Sequence, residues 1–234
     1  MPSPVFCAID RPDLEGGLAL ARSLLGTVGG LKVGLEFTTA NGPDGVRQMV
    51  ALGLPVFLDL KFHDIPNTVA GAVRAAGALG VAMMTLHVAG GPAMLRAAVE
   101  AAASCEPRPW LLGVTVLTSV DDADLSAIGM TVGTADQVLR LAELAAACGL
   151  DGVICSPQEI APLRRRFGPD FKLVVPGIRP AGSAIGDQKR TLGPADAIAQ
   201  GADRLVVGRP ITQAAEPRAA ALAIEAEIAA VRAA

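Results

Sequence analysis

The chain alternates short apolar runs with longer segments that are rich in alanine and leucine and have helical periodicity. Eight apolar runs are typical of buried strands: Val5–Ile9, Leu31–Leu35, Val56–Leu60, Ala82–Val88, Trp110–Val116, Gly152–Cys155, Lys172–Val175 and Arg204–Val207. The helical segments between them include Leu14–Leu25, Gly45–Leu52, Val69–Leu79, Ala93–Ala103 and Ala135–Ala147. In a chain of 234 residues this alternation predicts an α/β fold, a (β/α)₈ TIM barrel in which residues 1–234 form a single domain.

A doubly wound open sheet is the alternative that this alternation leaves open. Its usual dinucleotide-binding version carries Gly-x-Gly-x-x-Gly directly after the first strand. No such motif follows Val5–Ile9, so a dinucleotide-binding domain of that kind is excluded.

Composition and charge exclude several classes of protein. Hydrophobic residues make up 51% of the chain and tyrosine is absent, so the core must consist mainly of leucine, valine, isoleucine and alanine. The net charge is −3 and no Lys/Arg run is longer than Arg164–Arg166, so the basic patch of a nucleic-acid-binding protein is missing. We expect that triplet on a solvated helix face.

The thiols and the apolar runs indicate a cytoplasmic protein. No apolar run reaches the roughly 18–20 residues of a membrane span, and the opening Met-Pro-Ser-Pro lacks the features of a secretory signal. The four cysteines, Cys7, Cys105, Cys148 and Cys155, show no metal-ligand spacing. We therefore expect reduced thiols and no membrane partner.

One apolar run continues into a cluster of charges. The stretch reads Phe57-Leu58-Asp59-Leu60-Lys61-Phe62-His63-Asp64-Ile65-Pro66-Asn67-Thr68. Asp59 and Lys61 are two positions apart, so on a strand their side chains leave the same face and can touch. Asp64 follows closely enough to help enclose the ammonium, and Pro66 stands where a helix would begin. An ammonium between two carboxylates keeps its proton, which predicts a proton donor. The alternative is a weak surface ion pair.

In a barrel of this kind, functional side chains lie at the carboxyl ends of the strands. Other polar residues at or after the ends of the apolar runs are Asp10, His87, Thr118, Arg179 and Arg209. Lys32 instead lies near the start of the second run, so it must reach the site from inside the barrel. We expect His63 and His87 to be packing residues.

Two long connections are expected on the same face. Ser119–Thr134 carries several aspartates, which are best explained as helix caps rather than as a cation site, and its length is typical of a lid. The connection from Pro176 to Arg190 contains three glycines and several donors. Because Gly208 and Arg209 end the eighth run, we expect a phosphate site at these last two strands. The alternative is an ordinary flexible loop.

The run Asp-x-Lys-x-x-Asp-Ile-Pro-x-Thr, which spans Asp59 to Thr68, resembles the signature of the orotidine 5′-phosphate decarboxylase family. Further matching pieces occur in the family's order and at family-like spacing: Asp10, Lys32, Leu117-Thr118-Ser119, Pro176-Gly177-Ile178-Arg179, Asp187-Gln188 and Val207-Gly208-Arg209. The resemblance implies decarboxylation of orotidine 5′-monophosphate to uridine 5′-monophosphate, the last step of de novo pyrimidine nucleotide synthesis, without a metal or organic cofactor.

The resemblance also implies a role for each matched position. Lys61 would protonate pyrimidine C6, while Asp59 and Asp64 hold it and crowd the departing carboxylate. The implied catalytic set is Lys61, Asp59, Asp64 and Lys32. The implied substrate-binding set is Asp10, Lys32, Asp59, Lys61, Asp64, Ile65, Pro66, Thr68, Thr118, Arg179, Gln188, Gly208 and Arg209.

Within that set, the resemblance implies contacts with different parts of the substrate. Asp10 and Lys32 would bind ribose hydroxyls, Thr118 would lie beside the pyrimidine edge, and Gln188 would bridge base and phosphate. Gly208 and Arg209 would hold the phosphate, and Arg179 would belong to a closing loop. In the family the Asp64–Thr68 turn is donated by the neighbouring subunit, so a homodimer with shared active sites is expected.

Two rival functions remain at this point. A related barrel, similar to 3-keto-L-gulonate 6-phosphate decarboxylase, shares the Asp-x-Lys-x-x-Asp core but binds magnesium through a carboxylate on the second strand. This chain has Lys32 on that strand, and Glu36 falls next to its end. The other rival is a catalytically silent barrel that binds a nucleotide or sugar phosphate.

Overall fold

The structure, a computed structural model, describes residues 3–180 and 191–232. The strands in these ranges are β1 (Val5–Ala8), β2 (Gly30–Val33), β3 (Val56–Phe62), β4 (Met83–His87), β5 (Trp110–Val114), β6 (Gly152–Ile154), β7 (Lys172–Val175) and β8 (Arg204–Val207). The helices are α1 (Leu14–Ser23), α2 (Leu35–Val50), α3 (Pro66–Gly77), α4 (Gly91–Ala103), α5 (Asp122–Ala127), α6 (Thr134–Ala147), α7 (Ile160–Phe167), α8 (Pro194–Ala199), α9 (Arg209–Thr212) and α10 (Pro217–Arg232).

The strands form one closed parallel barrel. Each strand pairs with the next along the chain, and β8 closes the barrel by pairing with β1 from Val5↔Leu205 to Cys7↔Val207. Closure leaves no sheet edge, so the open doubly wound alternative is excluded. The predicted (β/α)₈ TIM barrel is confirmed.

Alternating side chains divide the core into two layers. On β1, Val5 and Cys7 belong to the layer between strands and helices, whereas Phe6 and Ala8 belong to the barrel interior. The interior cluster consists of Phe6, Ala8, Phe57, Met83, Leu112, Val174 and Val206. A filled interior is a packed core rather than a pore, so a ligand can enter only at the mouth.

Several element boundaries differ from the prediction. β3 continues to Phe62, beyond the predicted Leu60, whereas β1, β4, β5 and β6 are slightly shorter than predicted. β2 ends at Val33, and α2 begins at Leu35 rather than Gly45. α2 is kinked at Gly42, which has φ 60 and precedes Pro43. This kink interrupts the helical periodicity, which is why only the second half of the helix was recognisable in the sequence.

The aspartates after β5 cap helices, as predicted. Asp121 is the N-cap of α5 and accepts from the backbone N–H groups of Ala123 and Asp124, each at 3.1 Å. Oδ1 of Asp122 accepts from the backbone N–H of Thr134 at 2.7 Å, which joins the start of α6 to α5.

The prediction for Arg164–Arg166 was wrong at its first residue. Arg165 and Arg166 are exposed on α7, but the Arg164 guanidinium donates to the carbonyl oxygen of Gly201 and to Oδ2 of Asp203. It thereby joins α7 to the segment before β8. Because these partners lie more than thirty residues further along the chain, the local charge run could not reveal them.

All four cysteines are free, and three of them are buried. Within residues 3–180 and 191–232, no helix is long and apolar enough to cross a membrane.

Candidate active site

The predicted contact between Asp59 and Lys61 is present at the mouth of the barrel. Nζ of Lys61 donates to Oδ1 of Asp59 at 2.9 Å. Both residues lie near the carboxyl end of β3, where parallel-barrel sites are built. The side chains are partly buried, with 29% of Lys61 and 16% of Asp59 exposed, so this pair is better shielded from water than an ordinary surface ion pair.

The backbone at this pair is not regular strand. The β3–β4 register runs from Leu58↔Met84 to Phe62↔Leu86, so four steps along β3 correspond to two along β4. Lys61 has φ 54, a left-handed conformation that costs an L-residue other than glycine roughly 1–2 kcal/mol. Because two extra residues preserve the alternation of faces, Lys61 still turns to the same side as Asp59.

Thr85, which the sequence analysis missed, is the β4 residue that stands opposite this irregularity. Its hydroxyl accepts from the Lys61 backbone N–H and donates to Oδ1 of Asp59, both at 2.9 Å. The side chain is fully buried. A threonine within the apolar run of β4 was the available signal, since a buried hydroxyl requires a partner.

Lys32 and Asp10 extend the row of charges. Nζ of Lys32 donates to Oδ1 of Asp10 at 2.8 Å and lies 4.0 Å from Oδ2 of Asp59. Lys32 pairs in register with Ala8 and Phe57, two interior residues, so it reaches the site from inside the barrel as predicted. It is the third residue of β2, however, and therefore lies closer to the mouth than the predicted strand start implied.

These charges line a small cavity of about 160 Å³. Its lining consists of Lys32, Phe57, Asp59, Lys61, Val114, Val116, Leu117, Thr118, Ile154, Cys155, Pro176 and Val206. The two lysines and one aspartate therefore face an otherwise largely apolar wall. Such a wall lowers the local dielectric constant and strengthens the effect of the charges on anything bound between them.

The local spacing predicted that Asp64 helps to enclose the Lys61 ammonium of its own chain, and this prediction was wrong. Its carboxylate does not pair with Lys61 in the described part of the molecule; Oδ1 of Asp64 accepts from the backbone N–H of Ile65 at 2.6 Å. Asp64 and Thr68 are exposed, and Ile65 is 67% exposed. Pro66 begins α3, as predicted, so the Asp64–Thr68 segment runs into the first turn of this helix and is largely exposed.

The predicted phosphate-binding residues lie at the ends of the last two strands. Gly208 directly follows β8, and Arg209 is the exposed first residue of α9. After β7, the backbone N–H of Arg179 donates to the carbonyl oxygen of Leu192 at 2.9 Å. This contact brings together the two described ends of the β7–α8 connection. Gln188 lies outside the described residues.

The rings of the two histidines contact each other, with His87 half-buried and His63 exposed. The ring centroids of His63 and His87 are 5.3 Å apart. The pKa of His87 lies below its ordinary value of 6.5, mainly because burial disfavours the imidazolium and further because His63 and Lys61 are nearby. His87 is therefore held neutral close to the lysine.

Two cysteines lie close to the charged row but are poor nucleophiles. Burial, reinforced by Asp10, raises the pKa of Cys7 to about 12. Burial also raises the pKa of Cys155 well above its ordinary value. Since the thiolate is the reactive form, both thiols act as small apolar packing groups.

The carboxylate considered for a magnesium site does not end a strand. Glu36 is exposed in the first turn of α2. Among residues 3–180 and 191–232, no cluster of three or more His, Cys, Asp or Glu side chains is arranged to hold a metal ion.

The sequence is similar to those of curated proteins over nearly its whole length. A curated relative from Paramagnetospirillum magneticum, named orotidine 5′-phosphate decarboxylase, is 52% identical and aligns over 97% of this chain and 99% of its own length. One of the same name from Sphingopyxis alaskensis is 54% identical over 97% of this chain and 100% of its own length.

Solved structures share the fold over almost the whole chain. The crystal structure of orotidine 5′-phosphate decarboxylase from Lactobacillus acidophilus has a TM-score of 0.85 and 40% identity, covering 97% of this chain and 99% of its own. An uncharacterized conserved protein from Geobacillus kaustophilus has a TM-score of 0.85 and 34% identity, with coverage of 96% and 100%. The profile of one family matches residues 3–224. The chain belongs to the orotidine 5′-phosphate decarboxylase / HUMPS family.

Proposed function

We propose that this chain converts orotidine 5′-monophosphate to uridine 5′-monophosphate and carbon dioxide, the last step of de novo UMP biosynthesis. The observation that carries the proposal is the Lys61 ammonium, which is held by Asp59 at 2.9 Å and lines a cavity at the mouth of the barrel. The family and the full-length relatives named for this activity support the same reaction.

The chemistry requires a fixed positive charge. As the C6 carboxylate leaves as carbon dioxide, its bonding electron pair remains on C6 in the plane of the pyrimidine ring, where the π system cannot delocalise it. An ammonium oriented in advance towards C6 stabilises this charge without reorganisation. Lys61 then donates a proton to C6 and completes the product. Asp59 and Lys32 keep the ammonium oriented.

We assign the remaining contacts to the ribose, the base and the phosphate of the substrate. Asp10 and Lys32 bind the ribose hydroxyls, and Thr118 contacts the pyrimidine edge. Gly208 and Arg209 bind the phosphate, Gln188 bridges base and phosphate, and Arg179 belongs to the loop that closes over the site. Binding energy from this distant phosphate can be used to close the site around the reacting carbon, which raises the rate of the chemical step.

We further propose that the active enzyme is a homodimer in which each subunit completes the site of the other. The support is the exposure of the Asp64–Thr68 segment, in which every residue except the half-buried Pro66 is exposed and Ile65 has 67% of its surface accessible. A turn that is exposed in one chain is accessible to a partner subunit, and the family signature from Asp59 to Thr68 implies that this turn is donated to the neighbouring site. Across the dimer, Asp64 of the partner subunit would approach Lys61 and the substrate carboxylate. The partner's Ile65, the partner's Pro66 and the partner's Thr68 would line the same site.

We propose a cytoplasmic enzyme of one decarboxylase domain, residues 1–234, that needs no cofactor and binds neither nucleic acid nor membranes. Lys32 supports metal independence, because its ammonium lies between two carboxylates, those of Asp10 and Asp59. A divalent cation at that position would face a like charge and would have to displace it.

The test is to mix purified protein with orotidine 5′-monophosphate in EDTA and follow the loss of substrate absorbance, with the product identified by chromatography. Stoichiometric formation of uridine 5′-monophosphate is expected. No turnover by folded protein would contradict the proposal and leave the catalytically silent barrel. Turnover of a sugar-acid phosphate that depends on magnesium would indicate the other rival.

A further inference from the structure

We propose that Thr85 is a positioning residue for this reaction: its hydroxyl fixes the Lys61 backbone and the Asp59 carboxylate in one arrangement, so that the ammonium is aimed before substrate arrives. This inference rests on the proposed function. The inference goes beyond that function by assigning a role to a residue of β4. This strand contributes none of the side chains assigned above to catalysis or substrate binding.

The hydrogen bonds at Thr85 can run in only one direction. The Lys61 backbone N–H is a donor, so the Thr85 oxygen must accept it at 2.9 Å. The single hydroxyl proton is then available for Oδ1 of Asp59, also at 2.9 Å. Oδ1 therefore receives one hydrogen bond from Thr85 and one from the Lys61 ammonium. Thr85 thus links the backbone and the side chain of the same lysine through one carboxylate.

This link replaces a contact that the sheet cannot supply. Between the pairs Leu58↔Met84 and Phe62↔Leu86, three residues of β3 stand opposite Thr85 alone. A buried backbone N–H that loses its strand partner needs another acceptor, and the threonine hydroxyl provides one for Lys61. It also holds the positive φ of 54 at Lys61, a conformation that persists only where its surroundings impose it.

Thr85 is itself rigid. Its side chain is fully buried, and its β-branching restricts χ1. On the side away from β3, Thr85 pairs in register with Leu112 of β5. The hydroxyl is therefore held by the packed barrel rather than by a loop, which suits a group that must orient a neighbouring charge.

The experiment compares Thr85→Val and Thr85→Ser with a matched control, Thr115→Val. Valine keeps the shape but removes the hydroxyl, whereas serine keeps the hydroxyl. Thr115 is also almost fully buried, and its hydroxyl donates to the carbonyl oxygen of Ile154 at 3.2 Å. Thr115→Val therefore measures the loss of a buried threonine hydroxyl that does not touch the charged row.

For Thr85→Val we expect kcat to fall roughly tenfold to one-hundredfold, which is the effect of losing a hydrogen bond to a charged group. KM for orotidine 5′-monophosphate and the affinity for uridine 5′-monophosphate should stay within about twofold, because the lost contact does not touch the bound ligand. Thr85→Ser should recover most of kcat, and Thr115→Val should keep the wild-type value. In NMR hydrogen exchange, the Lys61 amide should be protected in wild type and lose protection in Thr85→Val.

The inference would be overturned if Thr85→Val and Thr115→Val had equal kcat values, or if the wild-type Lys61 amide exchanged at the rate of an unstructured peptide. If Thr85→Val does not fold, Thr85→Ala takes its place with the same expectations. An inactive wild type whose Lys61 amide is protected would reject the proposed function while leaving the structural link intact, so the two failures are distinguishable.

Discussion

Nζ of Lys61 lies 2.9 Å from Oδ1 of Asp59, while the other oxygen of that carboxylate lies 4.0 Å from Nζ of Lys32. Asp59 therefore stands between two ammonium groups, and Asp10 holds the second of them at 2.8 Å. A row of charges that alternates in sign is stable only as a set, because removing one member leaves a partly buried charge without its partner. This mutual dependence explains why the site can be oriented before substrate binds.

Lys61→Ala should abolish turnover while the barrel remains folded. Alanine removes the proton donor but retains a Cβ, so it meets the same left-handed backbone that lysine already accepts. Steady-state assays and circular dichroism would check this. Lys172→Ala is the matched control, because Lys172 begins β7 at the opposite end of the barrel and should leave kcat unchanged. Appreciable residual decarboxylation by Lys61→Ala would refute the assigned role.

Mixing two inactive variants should restore activity if the site is shared. Lys61→Ala and Asp64→Asn damage the same site from different subunits, so a heterodimer contains one intact site and one doubly altered site. After random subunit exchange, about a quarter of all sites should be intact, as expected for a two-fold dimer. The assay is kcat per subunit before and after mixing. If exchange is verified and no activity returns, Asp64 does not act across the interface.

Arg209→Ala should mainly weaken phosphate binding. Loss of a charge-assisted contact costs about 1.5–3 kcal/mol, so kcat/KM should fall roughly tenfold to one-hundredfold, with much of the change in KM. Arg166→Ala serves as the control, because Arg166 on α7 is exposed and pairs with Glu143 of α6 at 2.9 Å. An unchanged kcat/KM for Arg209→Ala would place the phosphate elsewhere.

His87 should make the folded protein sensitive to mild acid. Burial, followed by His63 and Lys61, lowers the pKa of His87 below 6.5, so the unfolded chain binds this proton more readily than the folded one. The stability is fully present above pH 6.5 and is lost as the pH falls from that value through the lower pKa of the folded state. Denaturant unfolding at several pH values would measure the loss.

In His87→Gln this part of the pH dependence should disappear. His63→Gln should reduce it without removing it, since His63 is a smaller cause of the shift than burial. An NMR titration of the wild type, in which the His87 imidazole stays neutral near pH 6.5, would agree with this account. A His87 that titrates at or above 6.5 would contradict it.

Much of the fold was predictable from local pattern. Eight apolar runs separated by helical segments predicted the barrel because strands and helices have different periodicities, and these are recorded in neighbouring residues. The contact between Asp59 and Lys61 was predictable for the same reason, since it depends on a spacing of two. The helix-capping role of Asp121 likewise depends on residues within one turn.

Other features required the packed structure. Thr85 meets Lys61 and Asp59 through a register irregularity between two strands, and Arg164 meets Asp203 across adjacent elements. Asp64 accepts from the backbone N–H of Ile65, the N-cap of α3, where the local spacing predicted a contact with Lys61. The sequence by itself thus determined the order of the elements and the identity of the charged pair. The tertiary structure decided the register, and hence which hydroxyl supports that pair, because strand register depends on packing between residues that are distant along the chain.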